Sequence, residues 1–117
     1  MPASHLFVLS SSATAEVEPI APEKVVEGAP VAATKHQYAF EERIFVGEWS
    51  CSAGAWRVSY TEWEFCEVLR GVCELTPDGG TPQRFEAGEA FVIEPGFVGI
   101  FRVVAPMTKR YVIRVEA

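Results

Sequence analysis

From residue 38 onward the chain alternates apolar and polar residues in short runs with a period near two, the pattern of half-buried β-strands rather than amphipathic helices. The runs fall at 38–40, 43–51, 55–60, 64–70, 72–76, 83–85, 90–94, 99–104 and 109–115, punctuated by "SAG", "TPDGGTP", "EAGE" and "EPGF". So many short strands between Gly and Pro turns predict an all-β sandwich or barrel. The turn "PDGG" joins two runs where Gly can take the positive φ such a reversal requires.

Alternation also assigns faces. Glu64, Cys66 and Val68 share one side of their run and Phe65, Glu67 and Leu69 the other. Trp56, Val58 and Tyr60 share a face, as do Trp49 and Cys51, and Tyr111, Ile113 and Val115 form the inward set of the last run. Several outward sets are apolar too, so the outer surface is expected to pack on another layer, on the N-terminal arm or on a second copy in a homodimer. Residues 1–35 carry Ala, Ser, Pro and Glu with short apolar pieces such as "LFVL" but no sustained period, and read as an extended arm ahead of a barrel spanning 36–117.

Composition narrows the function classes. At 117 residues, 49% apolar and 22% charged, the chain matches one globular domain with a real core. A net charge of −6 without a basic cluster argues against nucleic acid as a partner. No run is long enough to span a membrane, and the apolar piece Leu6 to Leu9 lacks the flanks of a secretory signal. Three cysteines, Cys51, Cys66 and Cys73, without CxxC spacing suggest reduced, buried thiols and a cytoplasmic location.

Two segments carry chemistry. "EFCEVLRG" places Gly71 seven residues after Glu64, and "GEAFVIEPGFVG" runs from Gly88 to Gly99. These resemble the two motifs of the cupin family, a His-x-His pair followed by Glu and Gly and then a Gly, Pro-x-Gly and His. With "GEWSCSAGAWRVSYTEWEFCEVLRG" and the terminal "KRYVI", the chain is similar to the DUF861 subgroup, which is likened to ureidoglycine aminohydrolase and EutQ. The likeness covers about residues 28 to 115 and implies a single-domain, RmlC-like jelly-roll β-barrel.

The resemblance also implies a metal site that this sequence does not supply. The first motif's two His slots fall on Val58 and Tyr60, or on Arg57 and Ser59, and the second motif's slot falls on Gly99. Glu64 alone remains of the four implied ligands, whereas a zinc or transition-metal site normally needs at least three protein ligands. No cofactor is therefore expected. His5 and His36 lie outside both motifs, and a soft set drawn from Cys51, Cys66 or His36 is the route by which a metal would return.

The leading expectation is a metal-independent binding protein for a small polar metabolite, with room for a minor enzymatic activity. Its pocket would comprise Tyr60, Glu64, Cys66, Phe101 and Tyr111, with Arg57 and Lys109 as flanking cations. Glu64 is the one candidate catalytic residue, as a ligand contact or a general base, set against a plain carboxylate satisfied by Tyr60, Arg57 or Lys109. Glu62 reads as rim, and the aromatic residues as core that favours a planar or apolar-bodied ligand where it meets the mouth. Two other readings stand beside this one: an aminohydrolase-like metalloenzyme with non-standard ligands, and an assembly dimer with a vestigial pocket.

Overall fold

The computed structural model describes residues 5–116 of the chain; residues 1–4 of the arm and residue 117 lie outside them. Nine strands build one curled, nearly all-β sheet: β1 (Ala15–Pro19), β2 (Val25–Gly28), β3 (Val31–Phe40), β4 (Ile44–Cys51), β5 (Gly54–Ser59), β6 (Trp63–Pro77), β7 (Gln83–Glu86), β8 (Ala90–Ile93) and β9 (Val98–Arg114). A short 3₁₀ turn, Pro22–Lys24, links β1 to β2. The order β1-β3-β4-β9-β5-β2 forms one path, and β6 pairs with β9 on one side and with β7 and β8 on the other.

The two long strands organise the barrel. β9 pairs with β5 through its first half and with β4 through its second, while β6 runs against both halves. Along β9, Phe101, Val103, Met107, Lys109 and Tyr111 all point inward and are buried. Trp56 from β5 and Cys51 from β4 complete the core with Cys66, Val68, Cys73 and Leu75 from β6. Trp56 stacks on Phe101 with ring centres 5.1 Å apart, and Trp49 meets Phe101 edge-on at 5.7 Å, a geometry aromatic quadrupoles favour.

The sequence splits β6 at Gly71 and β9 near Pro106, but each is one continuous strand. Register shifts fall between Val68 and Cys73, so the buried set changes from Glu64, Cys66 and Val68 to Cys73 and Leu75. This is a β-bulge, which flips the alternation without ending the strand. Gly71 takes φ +83 there, and a Cβ would run into Pro106 and Met107 of β9. The proline sits where β9 changes partner from β5 to β4, a point where its missing N–H costs no regular ladder bond.

Three pieces of the stretch read as an arm join the sheet: β1, β2 and the first half of β3. β1 pairs with β3, β2 pairs with β5, and the Ile20 N–H donates to the Pro30 carbonyl. Ahead of β1 the chain lies along β3, where Gln37 Nε2 donates to the Ser10 carbonyl at 2.9 Å and Lys35 Nζ to the Ser11 carbonyl at 3.2 Å. Phe7 packs edge-on against Tyr38. Among the described residues no helix is long and apolar enough to cross a membrane.

Candidate functional site

Inside the curl lies a cavity of about 500 Å³. Its floor comes from inward positions brought level by strand register. Trp49 faces Lys109 across β4 and β9, Cys66 faces Tyr111 across β6 and β9, and Trp56 faces Phe101 across β5 and β9. Tyr111 lies over Gly47 of β4, where a Cβ would collide with the ring. Only glycine leaves the phenol that space.

The polar centre of the floor is a buried triad. The Lys109 ammonium donates to Glu64 Oε2 at 2.8 Å and to Cys66 Sγ at 3.4 Å, and the Cys66 thiol donates to the same Glu64 oxygen at 3.2 Å. Lys109 Nζ also stands 4.9 Å from the Trp49 ring centre and 5.2 Å from that of Phe101, within cation–π range. The charge is thus held by a carboxylate, a thiol and two ring faces. Burial, the largest single influence, opposes the ammonium, but Glu64, Cys66 and Tyr60 together outweigh it and keep Lys109 above the usual lysine range.

Burial pushes the Cys66 thiol up to about 12 and the Tyr60 phenol up to about 12. Both are therefore neutral at physiological pH, and Cys66 is a hydrogen-bond donor rather than a nucleophile. Cys51 and Cys73 are free, buried and raised to about 11 by the same desolvation.

Of the residues singled out in the sequence, Tyr60, Glu64, Phe101, Lys109 and Tyr111 line the cavity, and Arg57 lies at its mouth. Cys66 sits beneath the lining, fully buried, and touches the cavity only through Glu64 and Lys109. The Arg57 guanidinium is committed to Asp78 at 2.7 Å. Glu62 is at the mouth. His36, outside both motifs in sequence, also reaches the mouth, where its ring lies 3.4 Å from the Tyr111 hydroxyl and 3.3 Å from Glu16.

Sequence reasoning missed the wall built by the arm: Glu18, Pro19, Ile20, Ala21 and Lys24 close one side of the cavity. The only available signal was the apolar Ile20 amid Pro and Glu. The positions where the two motifs would place metal ligands carry Val58, Tyr60, Glu64 and Gly99, and the Glu64 oxygen is already bonded to an ammonium. Among the described residues no three His, Cys, Asp or Glu side chains converge as a metal-binding group. The side chains present do not fit the metal site that the motif resemblance implies.

No curated protein matches the chain. Solved structures do. A DUF861-family protein of unknown function from Pseudomonas syringae pv. tomato superposes with a TM-score of 0.79 at 14% identity, covering 90% of this chain and 46% of that one. EutQ from Clostridium difficile gives 0.65 at 23% identity, covering 73% and 63%, and a predicted oxalate decarboxylase from Thermotoga maritima gives 0.71 at 14%, covering 93% and 99%. The chain thus spans less than half of the Pseudomonas protein and under two thirds of EutQ, and at these identities the likeness is one of fold. The model of the EutQ-like cupin domain matches residues 38–111, from β3 through the Lys109 and Tyr111 end of β9, and the chain belongs to that family.

Proposed function

We propose that the protein binds a small polar metabolite in the barrel without a metal. One observation carries this reading: an open cavity of about 500 Å³ whose floor holds a buried ion pair, Lys109 to Glu64, beneath aromatic walls. The volume lies in the range of small-molecule sites, and the mix of apolar lining with a few fixed polar groups is typical of them. The Lys109 nitrogen rests on one oxygen of the Glu64 carboxylate, so a divalent cation there would lie close to a fixed positive charge. A thermal-shift screen of polar metabolites, run with and without chelator, tests the reading. It expects at least one compound to raise the melting temperature regardless of chelator, with the response lost in Glu64→Gln. Stabilisation that requires a metal, or none by any compound, would contradict it.

The outer face supports a homodimer. Tyr38, Val46, Val112, Phe65 and Val92 lie opposite one another across five strands and form an apolar row on the side away from the cavity. A second copy covering that row is expected to give a dimer by light scattering that Phe65→Glu converts to monomer.

A further inference from the structure

The chemistry of the ligand's head group is legible in how the floor's hydrogen bonds are spent, and this step rests on the binding reading above. Lys109 directs its ammonium at Glu64 Oε2, at Cys66 Sγ and at the faces of Trp49 and Phe101, which leaves no strong donor for an incoming anion. Both donors to Glu64 converge on Oε2. Oε1 receives no hydrogen bond from the described residues, yet it is not sealed from the cavity. The Tyr60 hydroxyl is in the same condition: it lines the cavity, makes no hydrogen bond within the described residues and is not sealed. The cavity therefore presents one unused carboxylate oxygen and one unused phenol.

The net charge of the floor is zero. One ammonium and one carboxylate cancel, and Tyr60 and Cys66 are neutral. A ligand that carried an ammonium to Oε1 would place it beside Lys109, and a carboxylate would meet Glu64. Either ion would surrender its hydration without gaining an uncommitted counter-charge. The rim does not repair this, since Arg57 is held by Asp78 and His36 lies against Glu16, while Glu18, Lys24 and Glu62 stand at the mouth where water screens them.

We infer that the group presented to this floor is an uncharged hydrogen-bond donor, an amide N–H or a hydroxyl on a flat or apolar body, and not an ammonium or a carboxylate. The N–H or O–H donates to Glu64 Oε1. A neighbouring carbonyl or hydroxyl oxygen on the same head accepts from Tyr60, and the body lies against Trp49, Trp56 and Phe101.

Three probes of one body separate the possibilities: benzamide, benzoate and benzylammonium, titrated into the ¹⁵N-labelled full chain with chelator present and followed through the tryptophan indole N–H signals. Wild type is expected to bind benzamide at least about tenfold more tightly than either ion. In Lys109→Met the carboxylate loses its partner, and benzylammonium becomes the preferred probe by a similar factor. The double variant Glu64→Gln with Lys109→Met has a neutral floor that avoids an unpaired buried charge and serves where the single variant fails to fold. It binds benzamide more weakly than wild type does, because the carboxylate acceptor is gone. Undiminished binding would overturn the assignment of Glu64 Oε1 as that acceptor. Benzoate or benzylammonium matching benzamide in wild type would overturn the head-group inference and leave the pocket standing. No response to any probe in wild type would overturn the pocket and the inference together.

Discussion

Lys109 Nζ lies 2.8 Å from Glu64 Oε2, and the two side chains keep only 5% and 6% of their exposure. An ion pair removed this far from water is seldom the most stabilising solution, since hydrophobic replacement is often neutral or better, but removing one partner strands the other. The pair therefore has a definite signature in stability.

Lys109→Met and Glu64→Gln are each expected to destabilise the fold, Lys109→Met by about 3–5 kcal/mol because it leaves a buried carboxylate unpaired. The double variant should recover most of that loss. A denaturant-unfolding cycle measures the coupling. Additive losses would mean that the two groups do not sense each other.

Alkaline pH should weaken the fold before it affects the pocket selectively. The Cys51, Cys66 and Cys73 thiols and the Tyr60 phenol are held above their ordinary values, and so is the Lys109 ammonium. Groups raised in the folded state retain protons that the unfolded chain releases. Their stability is fully present below the unfolded pKa and is lost as pH climbs toward the folded one. Under reducing conditions unfolding free energy should be level from neutral pH to about 8.5, then fall by about 1.4 kcal/mol per pH unit for each thiol. A flat profile from pH 7 to 10.5 would contradict the buried, neutral thiols.

Tyr60→Phe removes a hydroxyl with no hydrogen-bonding partner among the described residues. Stability is expected to stay within about 0.5 kcal/mol of wild type while ligand binding weakens. A large stability loss with binding intact would place the hydroxyl in the structure rather than in the site.

Gly47→Ala should cost about 1–3 kcal/mol, because the added Cβ meets the Tyr111 ring and the Lys35 carbonyl in a packed layer. Near-ultraviolet circular dichroism should change with it as Tyr111 shifts. An unperturbed spectrum and midpoint would show that the ring has room elsewhere.

Much of this architecture was visible as period-two alternation. Glu64, Cys66 and Val68, the set Trp56, Val58 and Tyr60, and Tyr111 with Ile113 all fell on the correct inward face, because each sits in a regular ladder with one face on the core. The bulge at Gly71 escaped, since a glycine that ends a strand and one that kinks it look alike in sequence. So did β1 and β2, whose positions are mostly exposed, with Glu16, Val17 and Glu18 all open to solvent. An edge strand with no buried face leaves no alternating signal. Tyr60, Glu64, Phe101, Lys109 and Tyr111 were legible as cavity residues, and Lys109 was one of three partners the sequence offered Glu64, but alternation could not choose it over Tyr60 or Arg57. Lys109 lies opposite Val68, not Glu64, and reaches the carboxylate past Cys66. That reach depends on side-chain length and sheet curvature.

Elemental mass spectrometry on tag-free protein purified without chelators tests the central claim most directly. With the Lys109 ammonium on Glu64, metal is expected well below one atom per chain, and ligand binding should survive chelation. Near-stoichiometric manganese, iron, nickel or zinc that disappears in Glu64→Gln would contradict the account and make the carboxylate a metal ligand.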